Sequence, residues 1–230
     1  MKLLTIDTST STCSVALTIG GRLVAESLLD SERTLSERLL VSIDSVVRDA
    51  GLLLTDLDGF GVSLGPGSFT GVRIGVSTVK GLALATGKPV AGFSSLAMLA
   101  FNLPSSPVPV CALFDARKKE VYAALYRCGS LPVPLQADCV MTPERFLGLI
   151  SGPALFVGNG ALRYRGLIEE TLGDRAVFAP AHCHQPRAAA GAVLALEAFR
   201  SGVLTPLPFL NPAYIRPSEA ELSKMMQETL

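Results

Sequence analysis

The amino-acid sequence predicts an α/β protein made of two similar halves, with mixed sheets flanked by helices. An apolar strand, a polar turn that contains an aspartate and a second apolar strand occur in residues 2–19 and again in residues 108–127. After each of these stretches, strands alternate with helices, which is the pattern of sheets covered by helices. The two stretches share few identical residues, so the repeat is one of layout.

The bulk composition excludes several classes of protein. The chain has 230 residues, of which 49% are hydrophobic and 17% are charged, so it should bury a large core. Its 20 basic and 20 acidic residues leave no basic excess for binding nucleic acid, so if RNA is bound, a partner is expected to make most of the contact. No apolar stretch is long enough to span a bilayer, so no membrane contact is predicted.

The expected compartment is the cytoplasm. The apolar run that follows Lys2 is broken by Asp7, which is unlike a signal peptide. The 5 cysteines are scattered and form no C-x-x-C pair, as is usual in a reducing compartment.

The first half is predicted to open with an antiparallel meander. Its strands cover residues 2–9, 13–19 and 22–29, with a tight turn at Gly20 and Gly21. A helix follows over residues 31–51, where apolar residues recur at helical spacing, with Ser31 or Thr34 as its cap and Gly51 at its end. The remaining predicted elements of this half are a strand at 57–64, a helix at 71–86 closed by Gly87, a strand at 88–93 and a helix at 94–103 capped by Ser94 or Ser95.

The second half is predicted to begin after the proline-rich linker 104–109. After the strand pair come a helix that starts near Pro143, a strand, glycine turn and helix over 154–173, an alanine-rich helix over 187–202 and an extended stretch over 209–217. The predicted domains are therefore 1–103, 104–217 and a tail at 218–230.

A glycine-rich loop separates a buried strand from a helix. It consists of Gly65, Pro66, Gly67, Ser68, Phe69, Thr70 and Gly71. Free backbone N–H groups at a helix start can hold an anion. However, no Lys-Ser or Lys-Thr follows the last glycine, so this is not a Walker A loop. The residues favour the alternative, a tight turn in which the glycines allow close packing.

Two acidic turns occupy matching positions in the two halves. Asp7, Thr8 and Ser9 end the first strand, and Asp115 lies at the corresponding place in the second half. A carboxylate followed by hydroxyl groups can position Mg²⁺ and a nucleotide phosphate. The same residues can instead satisfy the amides of their own turn. Their matching positions predict a degenerate nucleotide cleft between the halves.

The two histidines, His182 and His184, lie between prolines in a predicted loop. No second cluster of metal-binding residues accompanies them, so no metal site is predicted. The sequence also contains no H-E-x-x-H motif, and neither histidine lies in an obvious nucleophile motif, so the residues predict no hydrolytic centre.

Two helices of the first half have apolar faces that suit either a core or an association surface. Leu35, Leu39 and Ile43 lie on the first helix. On the second helix the corresponding residues are Val72, Ile74, Val76 and Val79.

Five segments of the chain resemble the TsaB (YeaZ) family. They read IDTSTSTCSVAL, SERLL, GPGSFTGVRIGVSTVKGLALATGKPVAGFSSLAMLA, DARKKEVYAALY and NPAYIRP. The resemblance extends from Leu4 to about Pro217 and is loose between 128 and 210. It implies an ASKHA fold with two actin-like, RNase H-like lobes, which agrees with the duplicated strand pairs.

The resemblance also implies a function. TsaB-like proteins are similar to TsaD, which transfers threonylcarbamoyl to N6 of adenosine 37 in tRNAs that read codons starting with A. TsaD-type proteins hold a metal with an H-x-x-x-H pair, but the comparable helix here reads TLSERLLVSID and has no histidine. The expected role is therefore a non-catalytic activator with no cofactor of its own.

The implied partners are a TsaD-type transferase and a TsaE-type ATPase. The resemblance implies binding through the N-terminal lobe, and a homodimer when the chain is alone. ATP or ADP at the interface of the complex stays an open alternative. Two other functions also stay open: an ATP-binding phosphotransferase that uses Asp7 and Asp115, and a peptidase or a chaperone of one.

Overall fold

The computed structural model describes residues 1–30 and 35–216. The predicted caps Ser31 and Thr34 and the predicted tail 218–230 lie outside the described residues.

The first sheet has five strands in the order β3-β2-β1-β4-β5. They are β1 (Lys2–Asp7), β2 (Thr12–Ile19), β3 (Arg22–Asp30), β4 (Gly59–Ser63) and β5 (Val90–Phe93). The first three form the predicted antiparallel meander, and β4 and β5 add to β1 in parallel. Gly20 and Gly21 have φ angles of 61° and 85°, so they form the predicted turn in a conformation that glycine adopts at little cost.

The second sheet repeats this arrangement in the order β10-β9-β6-β7-β8. Its strands are β6 (Val110–Arg117), β7 (Glu120–Arg127), β8 (Val133–Met141), β9 (Ala154–Val157) and β10 (Ala176–Phe178). Numbered within each half, both sheets have the strand order 3-2-1-4-5, which confirms the duplicated layout.

The two outer strands of the second sheet were not predicted. β8 carries Pro134 and has irregular register opposite Leu125, features that an edge strand tolerates but that hide it in the sequence. β10 has only three residues and runs parallel to β9, so its pairing depends on a strand formed elsewhere in the chain.

Within residues 1–30 and 35–216, seven α-helices join the strands. They are α1 (Leu35–Asp49), α2 (Phe69–Thr86), α3 (Ser95–Ala100), α4 (Pro143–Leu147), α5 (Asn159–Arg163), α6 (Arg165–Leu172) and α7 (Ala188–Ser201).

Two helix predictions needed correction. α2 begins two residues before the predicted 71, because the Ser68 hydroxyl caps it by accepting a hydrogen bond from the backbone N–H of Gly71 at 3.3 Å. It ends at Gly87, as predicted. The helix predicted within 154–173 is broken at Tyr164, where α5 ends and α6 begins.

The strands β1, β2 and β4 are buried along almost their whole length because helices cover both faces of the first sheet. α1 and α2 pack on one face, and α7 contacts β1, β2, β4 and β5. The small residues Ala188, Ala192 and Ala195 of α7 are at most 2% exposed, so this helix approaches the sheet closely. A Cβ added at Gly61 would lie 2.8 Å from the Cβ of Ala195.

The C-terminal part of the chain therefore returns to the first sheet. After α7, the backbone N–H of Thr205 donates to the Val90 carbonyl at 2.9 Å, and that of Ala213 donates to the Leu64 carbonyl at 2.7 Å. The predicted division at residue 104 separates the two sheets, but α7 and the following segment pack on the sheet of the first half.

Candidate functional site

The carboxylate of Asp7 lies at the end of β1 and is completely buried. Its Oδ1 accepts hydrogen bonds from the Ser63 hydroxyl and, at 3.3 Å, from the Ser9 backbone N–H. Its Oδ2 is buried and has no hydrogen-bond partner among the described residues. Burial raises the pKa of Asp7 from 3.8 to about 6, although the hydrogen bonds from Ser63 and Ser9 oppose the shift.

Polar groups of the turn that follows Asp7 form hydrogen bonds with residues at the start of α2. The Thr8 hydroxyl donates to the Gly71 carbonyl at 2.7 Å. The Ser9 carbonyl accepts from the Ser68 backbone N–H, also at 2.7 Å. Thr8 and Ser9 are each only 1% exposed. The predicted phosphate-binding hydroxyls are thus buried against the chain itself.

The glycines of the loop make this close contact possible. A Cβ at Gly67 would overlap the Ser9 carbonyl oxygen, and one at Gly71 would overlap the Thr8 carbonyl oxygen. On its other side, the loop receives a hydrogen bond from the Ser95 hydroxyl at the Pro66 carbonyl. The loop is therefore held between the β1–β2 turn and the start of α3, which favours the tight-turn interpretation.

Asp115 has a different environment from Asp7. Its Oδ2 lies 3.1 Å from a terminal guanidinium nitrogen of Arg163, and its Oδ1 accepts from the Arg117 backbone N–H at 3.0 Å. Its own backbone N–H donates to the side chain of Asn159 at 3.0 Å. The arginine provides the positive charge that a bound cation would otherwise bring.

A second glycine loop, residues 158–160, packs against the end of β6 much as the first packs against β1. A Cβ at Gly158 would overlap the carbonyl oxygen of Leu113. The buried side chain of His184 holds this loop, because its Nδ1 accepts from the Gly158 backbone N–H at 3.1 Å. Its Nε2 lies 3.0 Å from the Ala179 carbonyl, which fits a proton on Nε2. His182 is exposed.

The chain shows no metal cluster within residues 1–30 and 35–216: no group of three or more His, Cys, Asp or Glu residues is arranged to hold a metal ion.

Most of the predicted interface residues lie inside the first lobe. Five of them are at most 4% exposed and belong to its core: Leu39, Ile43, Val72, Val76 and Val79. Leu35 and Ile74 are partly buried against the same core. Helical periodicity marks the face that turns towards the sheet, so the prediction selected core residues. The exposed apolar residues of these helices are Leu40, Val41, Phe69 and Leu84, at 58%, 61%, 37% and 68%.

Sequence reasoning missed the residues that the C-terminal segment brings to the glycine loop. The ring of Tyr214 stacks on Phe69 with centroids 4.9 Å apart, and its hydroxyl accepts from Nε of Arg73 at 2.6 Å. Two residues later, Arg216 donates to the Glu120 carboxylate at 2.7 Å and so contacts the second sheet. The segment NPAYIRP gave only an extended pattern, and no local signal predicts these partners.

Comparison with known proteins places this geometry in a family. A family model described as TsaD, tRNA N6-adenosine threonylcarbamoyltransferase, matches residues 29–224. The tRNA threonylcarbamoyladenosine biosynthesis protein TsaB of Bacillus subtilis is 33% identical over 225 residues, which cover 96% of each chain. The chain belongs to the TsaB family. The TsaB protein of Escherichia coli is also 33% identical, over 94% of this chain and 95% of its own.

Solved structures agree with the TsaB assignment. YeaZ from Pseudomonas aeruginosa has a TM-score of 0.82 and 32% identity, over 93% of this chain and 99% of its own. A hexokinase from Thermus thermophilus has a TM-score of 0.53 at 12% identity, over 87% of this chain and 100% of its own, which shows the fold alone. The two-lobed ASKHA fold expected for a TsaB protein is therefore confirmed.

None of the helices within residues 1–30 and 35–216 combines the length and hydropathy needed to cross a bilayer.

Replacing Gly71 by alanine tests the close contact between the glycine loop and the β1–β2 turn. We expect Gly71→Ala to lower the free energy of unfolding by about 2–3 kcal/mol, because the new methyl group must displace backbone. Gly81→Ala on the same helix is the matched control: nothing lies within 4 Å of its Cβ, so it should gain up to about 1 kcal/mol. Urea unfolding measures both. Equal stability of the two variants would contradict the packing role.

Replacing Asp7 by asparagine tests the cost of burying its charge. The pKa of Asp7 is about 6 in the folded chain and 3.8 for an ordinary aspartate. Protonated Asp7 therefore makes its full contribution to the free energy of unfolding below about pH 4, and this contribution is lost as the pH rises through 6. Asp7→Asn should therefore raise the free energy of unfolding by roughly 3 kcal/mol at about pH 8 and change it little at about pH 4. The exposed Asp174→Asn serves as control. Urea unfolding at both pH values decides, and a pH-independent effect would refute the prediction.

Proposed function

We propose that this chain is a non-catalytic partner subunit required for N6-threonylcarbamoylation of adenosine 37 in tRNAs that read codons starting with A. In this proposal it acts in the cytoplasm with a TsaD-type transferase and a TsaE-type ATPase. The pathway is supported by the names of its relatives in Bacillus subtilis and Escherichia coli. The non-catalytic role rests on one observation, the closure of the glycine loop onto the β1–β2 turn.

This closure would oppose the binding of a nucleotide phosphate at the predicted position. A ligand that approached Asp7 would first have to break the hydrogen bonds from Thr8 to Gly71 and from Ser68 to Ser9. It would also have to separate backbone atoms that touch only because residues 67 and 71 are glycines. Both steps cost free energy, which would weaken the binding of a ligand at this position.

The second acidic residue supports the same proposal. The Asp115 carboxylate is paired with Arg163 at 3.1 Å, so a Mg²⁺ ion would have to displace a guanidinium group. A pair of carboxylates prepared for Mg²⁺ would instead keep free oxygen atoms facing a common space.

The phosphotransferase alternative keeps two supporting observations: Oδ2 of Asp7 and the hydroxyl oxygen of Ser9 are both buried without a hydrogen-bond partner among the described residues. Binding of ATP to the isolated chain, weakened by Asp7→Asn, would favour that alternative. The two histidines give the peptidase alternative little support. Both ring nitrogens of His184 are within hydrogen-bond distance of backbone groups. His182 is exposed and belongs to no described group of residues that could hold a metal ion.

Reconstitution of the modification tests the proposed function directly. A purified TsaD-type transferase, a TsaE-type ATPase, threonylcarbamoyl-adenylate and unmodified tRNA are combined with and without this chain, and the modified nucleoside is quantified by mass spectrometry. We expect product to depend on the chain. The variants Asp7→Asn and Asp115→Asn should support modification at the wild-type rate, because the chain does no chemistry. Undiminished product without the chain would overturn the proposal.

The partner surface is proposed to lie on the exposed sides of α1 and α2. Leu40 and Val41 are the most exposed large apolar residues of α1. When a partner covers such residues, their apolar surface is removed from water, which favours association. The same surface would serve the TsaD-type partner and the homodimer.

A double substitution tests this surface. Leu40→Asp with Val41→Asp should weaken association with the transferase by about 30-fold or more and leave the fold intact, because both side chains are exposed. Leu149→Asp, at a position that is 53% exposed in the second half, is the matched control. Size-exclusion chromatography with light scattering measures association, and circular dichroism verifies folding. Unchanged association of the double variant would exclude this face.

A further inference from the structure

The turn between β6 and β7 combines backbone strain with basic side chains. Its residues Arg117, Lys118 and Lys119, called here the basic turn, are all exposed and have φ angles of 59°, 49° and 62°. Arg117 pairs with Glu120, so Lys118 and Lys119 are the two central residues of a tight hairpin. Hairpin turns with positive φ at both central residues strongly prefer Asn-Gly or Gly-Gly.

Another hairpin of the same chain has glycines at both central positions. The β2–β3 turn also has two central residues with positive φ, and both are glycines, Gly20 and Gly21. In the basic turn, two lysines occupy positions where glycine or asparagine would relieve the strain. Residues held in such conformations cluster at sites with a function, so this choice needs an explanation beyond the fold.

The neighbouring carboxylates Asp115 and Glu120 do not account for Arg117 and Lys119. Asp115 is paired with Arg163 on α5, and Glu120 is paired with Arg216 of the C-terminal segment. Arg117 donates only its backbone N–H to Asp115. No carboxylate within residues 1–30 and 35–216 forms a salt bridge with the side chain of Arg117 or Lys119.

We propose that the basic turn binds the phosphate backbone of tRNA directly. This inference rests on the proposed function, and it goes beyond the expectation that a partner makes most of the contact with RNA. That expectation came from the balanced total charge of the chain, which conceals a local excess of basic residues at this turn. Lysine and arginine side chains that contact phosphates position a protein on nucleic acid and make its affinity depend on salt.

The surroundings of the turn favour a polyanion over a protein partner. The centre of a protein interface is apolar and depleted in charged residues. Between residues 110 and 127, no large apolar side chain is exposed. The exposed part of this hairpin is therefore charged, and it is held on a β-ladder that places successive basic side chains at fixed positions.

The strain provides a variant that separates function from folding. Lys118→Asn with Lys119→Gly installs the preferred turn residues and removes two positive charges. It should raise the melting temperature by a few degrees, since the strain is relieved. Arg22→Gln with Arg200→Gln is the matched control, because both arginines are exposed and lie away from this turn, on β3 and α7 of the first lobe.

The binding experiment uses the chain in complex with its TsaD-type transferase and a fluorescently labelled, unmodified transcript of a tRNA that reads codons starting with A. Anisotropy is measured across a series of salt concentrations. The turn variant should bind about tenfold more weakly at about 0.1 M salt, and the slope of log K against log[salt] should decrease by about 1.5–2. The control variant should match the wild type.

Three outcomes would overturn the inference. The first is an unchanged affinity and slope for the turn variant, and the second is an equal loss in the control variant, which would show a general charge effect. The third is a loss of transferase association by the turn variant, which would show that the turn contacts protein. Failure of the proposed function looks different, because modification would then proceed at saturating tRNA without the chain.

Discussion

The positions of helices in the first lobe depend on the backbone contact between the glycine loop and the β1–β2 turn. The carbonyl oxygens of Thr8 and Ser9 lie where side chains would stand if residues 71 and 67 were anything but glycine. This contact fixes the start of α2, and through Ser95 it also fixes the start of α3. From these fixed starts, α2 packs on the first sheet, and α3 packs against α7 and against β6 and β7 of the second sheet.

The same contact buries the polar groups of the β1–β2 turn. The Thr8 hydroxyl and the Ser9 carbonyl bond to the glycine loop, and the Asp7 carboxylate accepts hydrogen bonds from the Ser63 hydroxyl and the Ser9 backbone N–H. One cost remains, since the buried Asp7 carboxylate has an elevated pKa and a buried oxygen without a partner. The proposed partner surfaces, the exposed helix faces and the basic turn, lie outside this buried contact.

The C-terminal segment connects the two lobes. Tyr214 packs on Phe69 beside the glycine loop, and Arg216 reaches Glu120 beside the basic turn. Residues 214–216 therefore connect the proposed partner face of α2 with the turn that is proposed to contact RNA. α7 adds to this connection, because it belongs to the second half of the chain and covers the first sheet.

The sequence by itself determined the duplicated α/β layout, the Gly20–Gly21 turn and the end of α2 at Gly87, because periodicity and glycine conformation are local properties. The family followed from the GPGSFTG segment. Only the tertiary structure decided that Leu39 and Val76 are core residues, since periodicity identifies an apolar face without saying what covers it. It also decided the environment of Asp7, because its carboxylate is buried and accepts a hydrogen bond from Ser63 at the end of β4, 56 residues away in the chain, and no local pattern encodes that contact.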